Sequence, residues 1–136
     1  MKKVCLAWLM ILLLVTLCGC NHGYINSYAA TIMSTSCKGD EASMKFDSFQ
    51  GSYHFKLQRE SEKDNDLECE AELEKGTMNV YIGTEGEKEL LFTIAGGESF
   101  EEDLVLQGKY AEADAFYIIL ESEGACSGGD FEFEID

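Results

Sequence analysis

The sequence predicts an all-β fold: a single antiparallel β-sandwich of seven or eight short strands behind an apolar N-terminal segment. Three observations carry this expectation. Apolar residues recur at every second position through most of the chain beyond Met44, the period of a strand with one buried face. Breaks rich in Gly, Asn and Ser separate the alternating stretches at intervals typical of a sandwich. Helical periodicity is missing even where helix formers abound. In Leu67–Glu74 a helix would spread Leu and Glu around the whole cylinder, whereas a strand sorts them to opposite faces.

Taken in order, Met44-Lys45-Phe46 opens the folded part. Phe49, Tyr53, Phe55 and Leu57 share one parity against Ser52, His54, Lys56 and Gln58, with Gly51 marking a bulge or bend. Arg59 to Asn65 is a polar loop. Leu67, Cys69, Ala71 and Leu73 then alternate with Glu68, Glu70, Glu72 and Glu74. Lys75-Gly76 reads as a turn into Met78, Val80 and Ile82, and Gly83–Lys88 as the next turn. Leu90, Phe92 and Ile94 form another strand, which Ala95-Gly96-Gly97 breaks. Phe100, Leu104 and Leu106 flank the acidic run Glu101-Glu102-Asp103, and Gln107-Gly108-Lys109 leads into Tyr110. Phe116, Ile118 and Leu120 make a strand whose other face, with Tyr117 and Ile119, is also apolar, so it is central or covered. Glu123–Gly129 reads as a Gly/Ser turn holding Cys126, and Phe131, Phe133 and Ile135 close the chain against Asp130, Glu132, Glu134 and Asp136. Two stacked antiparallel layers satisfy this pattern most simply, and a closed barrel is the alternative.

The N-terminus divides the chain into residues 1–19, 20–42 and 43–136. Met1-Lys2-Lys3 is a short positive head, and Val4–Leu17 follows without a charge, which is the pattern of a secretory signal helix. The run is shorter than the about 20 apolar residues that span a bilayer, so an uncleaved anchor is the lesser alternative. Residues 20–42 are punctuated by Asn, Ser, Thr and Gly and read as a flexible spacer, with a short edge strand at Ala29–Ser34 as the other option.

Cleavage after residue 19 leaves about 117 residues, one domain in size. Ten basic residues less Lys2 and Lys3 leave eight against 26 acids, so the formal charge moves from −16 to −18. Such a charge opposes binding to nucleic acid and to anionic lipid, and favours cationic partners. Of six cysteines, Cys37, Cys69 and Cys126 lie beyond residue 20, so at most one disulfide forms among them. Cys69 shares the inward parity of Leu67 and Ala71 and reads as a small buried hydrophobe.

The sequence carries no nucleophile elbow, no phosphate-binding Gly loop and no CxxC pair, and it points away from an enzyme. The carboxylate ladder Glu68, Glu70, Glu72 and Glu74 reads as a solvated face or as a docking surface for a cationic wall component or protein. A second ladder lies at Asp130–Asp136. Like charges directly across a strand pair are destabilising, so the two ladders are expected to lie apart, with a strand bearing Lys45 or Lys56 beside the first. Tyr81 and Tyr117 have the outward parity and are candidates for an aromatic platform, or else cover the sheet or meet the spacer. No cofactor and no metal site is expected. The loosest calcium candidates, Glu101–Asp103 and Asp64/Asp66, lack EF-hand spacing.

Leu17-Cys18-Gly19-Cys20 resembles the lipobox of bacterial lipoproteins. That resemblance implies cleavage before Cys20, a diacylglycerol on its sulfur and a further acyl (palmitate-type) chain at the new amine. It implies a lipid-anchored protein on the outer face of the bacterial cytoplasmic membrane. Gly108-Lys109-Tyr110, the strand Phe116–Leu120 and Gly128-Gly129-Asp130-Phe131-Glu132-Phe133-Glu134-Ile135 look like the closing half of small uncharacterised lipoproteins from Gram-positive bacteria, and like jelly-roll modules appended to secreted proteases and carbohydrate-active enzymes. This implies a jelly-roll-like sandwich. The expectation is a membrane-anchored lipoprotein with a non-catalytic binding or structural domain. The alternative is a carbohydrate- or wall-binding module, and a small lipoprotein hydrolase ranks third.

Overall fold

Seven antiparallel strands form one continuous sheet in the computed structural model, which describes residues 24–136 except residue 62. The strands are β1 (Ser27–Thr31), β2 (Ser34–Lys38), β3 (Glu41–Gln58), β4 (Asp66–Thr84), β5 (Glu87–Ala95), β6 (Glu98–Val105) and β7 (Ala115–Ile135), with a single helical turn, α1 (Lys109–Glu112), before the last. Their order is β1-β3-β7-β4-β5, with β2 also on β3 and β6 also on β4. The expected signal segment, the lipobox-like motif and Cys20 lie outside the described residues.

The seven strands agree with the expected number, but three of them are long, at 18, 19 and 21 residues. Extended, the 18 residues of β3 would span about 60 Å. Instead its ends meet, and the Gln58 N–H donates to the Gly39 carbonyl at 2.8 Å. The sheet is therefore bent double, like a closed book. One layer holds β2, the first half of β3, the second half of β7, the first half of β4, and β6. The other holds the second half of β3, the first half of β7, the second half of β4, and β5, with β1 paired across the bend. Book closure is seen also where the Cys37 thiol reaches the Lys56 carbonyl at 3.2 Å, and where Phe92 stacks on Phe100 at 4.0 Å. The result resembles a β-sandwich made from one sheet rather than from two.

The bends correct two expected turns. Lys75-Gly76 and Glu123–Gly129 do not reverse the chain; they are irregularities inside β4 and β7, facing each other between Lys75/Thr77 and Ser127/Glu123. An extra residue in a strand shifts the alternation by one. That is why inward parity is odd at Leu67–Leu73 but even at Met78–Ile82, while every one of these residues stays in the same core. Gly76 makes this possible. Its φ is 96°, and a Cβ there would meet the Ala125 carbonyl at 2.6 Å and the Cys126 sulfur at 2.8 Å. Cys126, expected within a Gly/Ser turn, is instead buried beneath the bend, donating to the Thr77 carbonyl at 3.3 Å.

Residues 27–38, expected as spacer with a short edge strand at Ala29–Ser34 as the other option, hold two strands on the open edge of β3. Almost all their side chains are exposed. Backbone pairing holds them to the edge, so no apolar period betrays them in the sequence. The core is aromatic and aliphatic, built around Phe49, Phe116, Phe131, Phe133, Met44 and Met78, and no polar side chain is buried among the described residues. Cys69 is buried as expected, and desolvation pushes its thiol pKa up to about 12. Cys37, Cys69 and Cys126 are all free thiols.

Candidate functional site

The outer face of the first layer gathers the acidic residues. Register across the β4–β7 pair places Glu68 opposite Glu134, Glu70 opposite Glu132 and Glu72 opposite Asp130. On the other side of β4, Glu68 faces Asp103 and Glu70 faces Glu101. On the far side of β7, Glu134 faces Glu41. Glu74 follows at the bend, over Gly128. The two ladders expected to lie apart are thus immediate neighbours, and β3, which carries Lys45 as well as His54 and Lys56, pairs with β7 and does not flank the first. The apolar faces explain this. Leu67, Cys69 and Ala71 must lie beside Ile135, Phe133 and Phe131 to fill the core, and that register fixes which carboxylates meet on the outside.

Relief is sparse. Lys45 stands opposite Asp130, and Lys38 opposite Glu41. Neither makes an ion pair; the ion pairs among the described residues are Lys88–Glu121 at 2.5 Å and Lys109–Glu87, both away from this face. Proton uptake supplies a further outlet. Loss of hydration, then the nearby Asp103, Asp136 and Glu70, hold Glu68 above the usual carboxyl range. Loss of hydration, then Glu41, Glu68, Asp40 and Asp136, do the same to Glu134.

A groove of about 280 Å³ runs along this face between β2 and β4, lined by Lys38, Glu41, Glu68, Glu70, Glu132 and Glu134 among others. A second hollow of about 220 Å³ adjoins it, sharing Glu70 and Glu132 and adding Glu72, Glu101 and Asp130. Among the described residues no three His, Cys, Asp or Glu side chains converge well enough to hold a metal ion. Strand geometry is the reason, since neighbouring carboxylates stand side by side on the sheet instead of pointing inward to one centre. The surface therefore offers spread negative charge, suited to an extended cation.

The outer face of the second layer is different. Tyr81 pairs with Ile119 and Tyr117 pairs with Gly83, so both tyrosines lie on this face, diagonally about Ile119. Each ring already has company. The Lys88 ammonium lies 4.5 Å from the Tyr81 ring centre, and Tyr24 meets Tyr117 edge-on at 5.3 Å. Tyr24 crosses the sheet here. Its hydroxyl donates to the carbonyl of Thr84 or of Glu87, 2.7 Å from each, and Gly83 leaves the space, since a Cβ there would lie 2.6 Å from that hydroxyl. Asn26 accepts from the His54 N–H at 2.9 Å. Beneath this strap the His54 Nδ1 is buried without a partner, and desolvation lowers the histidine's pKa. Tyr117 does meet the expected spacer, but the sequence did not single out Tyr24 as the residue that meets it, because a lone Tyr in a polar stretch carries no period.

By sequence, the chain matches no protein family model and no curated protein. Solved structures with a loosely similar arrangement include a mutant of CBM29-2, studied for ligand recognition by family 29 carbohydrate-binding modules. It is 19% identical over 83% of this chain and 79% of that one, with a TM-score of 0.41. The cupin domain of Drosophila melanogaster CENP-C is 12% identical over 82% and 75%, with a TM-score of 0.32. The all-β assignment rests on the sheet itself. Among the described residues no helix is long and apolar enough to cross a membrane.

Proposed function

We propose that this chain is a lipid-anchored extracytoplasmic lipoprotein whose non-catalytic β-sandwich-like domain binds a cationic partner, a wall component or a protein, across the acidic face of β4, β6 and β7. The lipobox-like Leu17–Cys20 motif supports the anchor, with diacylglycerol on Cys20 and the domain on the outer side of the bacterial cytoplasmic membrane. One observation carries the binding face: three successive carboxylate pairs, Glu68/Glu134, Glu70/Glu132 and Glu72/Asp130, stand in direct cross-strand register. Like charges so placed oppose the fold, and a bound polycation would relieve all of them together.

The test is calorimetric titration of the purified full chain with an oligolysine peptide. Binding should weaken as salt rises, and a Glu68→Gln/Glu70→Gln/Glu132→Gln/Glu134→Gln variant should lose about tenfold or more in affinity. Equal affinity of variant and parent would sink the proposed face. Carbohydrate binding is the second reading, favoured by the shared face of Tyr81 and Tyr117. In that case soluble wall polysaccharide, not oligolysine, would bind, and Tyr81→Ala or Tyr117→Ala would abolish it.

A further inference from the structure

The two outer faces differ in charge, and the chain enters on one of them. The first layer's outer face carries the carboxylate grid of β4, β6 and β7 with Lys38 and Lys45 as its basic residues. The second layer's outer face is mixed: it carries Lys56 and Lys88 beside His54, Tyr81, Tyr117, Glu121 and Glu123, with Lys88 ion-paired to Glu121. Leu90, opposite Tyr81, is 56% exposed on that side, and Ile25 in the strap itself is 62% exposed.

The strap fixes residue 24 there through one hydroxyl set between two carbonyls, two aromatic rings and the neighbouring Asn26 contact. From Cys20 to Tyr24 is four residues, at most about 14 Å of chain. The layers of a sandwich lie about 10 Å apart, and the acidic side chains stand further out still. A free spacer of some twenty residues would have let the domain tumble over roughly 25 Å. The strap shortens that leash to a few residues.

We infer that the bilayer surface is the partner of the second layer's outer face: the Tyr24–Asn26 strap holds that face to the headgroups and turns the carboxylate grid away from the membrane. This rests on the lipid-anchor reading of Cys20. Charge favours the same pose. Anionic headgroups repel the grid far more than this near-neutral face, where Lys56 makes no ion pair among the described residues, while Ile25 and Leu90 supply apolar contact at the interface.

The experiment uses the full chain, made in a bacterium that acylates lipobox cysteines and reconstituted in vesicles containing phosphatidylglycerol. In a Cys37→Ser background, a thiol-reactive fluorophore is attached at Leu90→Cys or at Glu70→Cys, both on exposed side chains, and a headgroup-linked quencher reports proximity. The label at 90 should be quenched several-fold more than the label at 70. A long Gly/Ser insertion between Cys20 and Tyr24, which leaves the strap intact, should bring the two toward equality. Acylated, vesicle-bound protein with equal quenching at both sites would overturn the orientation alone. So would an insertion without effect. An unacylated Cys20 in the mass spectrum would overturn the anchor and the orientation together.

Discussion

At the residue scale, Glu68 and Glu134 report the strain of the acidic grid. Both carboxyls have raised pKa values in the folded chain, first through lost hydration and then through neighbouring carboxylates. A raised carboxyl pKa means that the folded state holds its proton to higher pH than the unfolded one. The associated stability is full below the ordinary value of about 4.3 and is lost as pH rises through the folded value. His54 acts oppositely. Its lowered pKa gives stability that is present above the ordinary histidine value of about 6.5 and lost as pH falls. A difference measurement removes this second effect. At about pH 7 the Glu68→Gln/Glu134→Gln variant should be more stable than the parent, and the gap should shrink on acidification toward the ordinary carboxyl value of about 4.3. Thermal unfolding at several pH values checks this, and a gap that widened toward pH 5 would contradict it. Each glutamate was legible in the sequence as an outward residue. Their mutual opposition was not, because parity gives a side chain's face and says nothing about which strand lies alongside.

At the element scale, the decisive feature is the bend shared by β3, β4 and β7. In the sequence a glycine between two alternating stretches looks the same whether the chain reverses or merely kinks. Both readings put Leu73 and Met78 in a core. Only pairing separates them: a hairpin would lay the flanks of Gly76 against each other, whereas here both flanks run along β7. The tight approach at Gly76 makes a test. Gly76→Ala should destabilise the domain by about 2 kcal/mol or more, since both the positive φ and the contact with the Ala125 carbonyl resist a methyl group. Chemical denaturation measures this, and an effect under about 0.5 kcal/mol would show that the bend tolerates a side chain. The edge strands β1 and β2 teach a related lesson. Their sequences look like linker because their contribution is backbone hydrogen bonding on a solvated edge, which selects for no apolar pattern.

At the scale of the whole molecule, charge is separated by face. The excess of acids over bases weakens the fold by self-repulsion, and most of the unrelieved contacts lie on one side. Salt should therefore stabilise the domain, since a Debye length of about 10 Å at 0.1 M spans only a few strands. The unfolding midpoint should climb as sodium chloride is raised, and the four-glutamine variant should climb less. A parent midpoint indifferent to salt would contradict a repulsive grid. The same asymmetry gives the strap its consequence, because the face on which the chain enters decides which face a tether presents to solvent. The sequence by itself determined the all-β class, the inward residues and the outward acids, because period-two alternation is a local property of a strand half-buried in a core. Tertiary structure alone decided that the two carboxylate ladders meet, that Tyr24 is the spacer residue closing over His54 and Tyr117, and that the edge pairing takes two strands within residues 27–38 where the sequence offered one at Ala29–Ser34. Those are matters of register and approach between segments far apart in the chain. They are set by how the apolar faces close on one another, a constraint that no single segment contains.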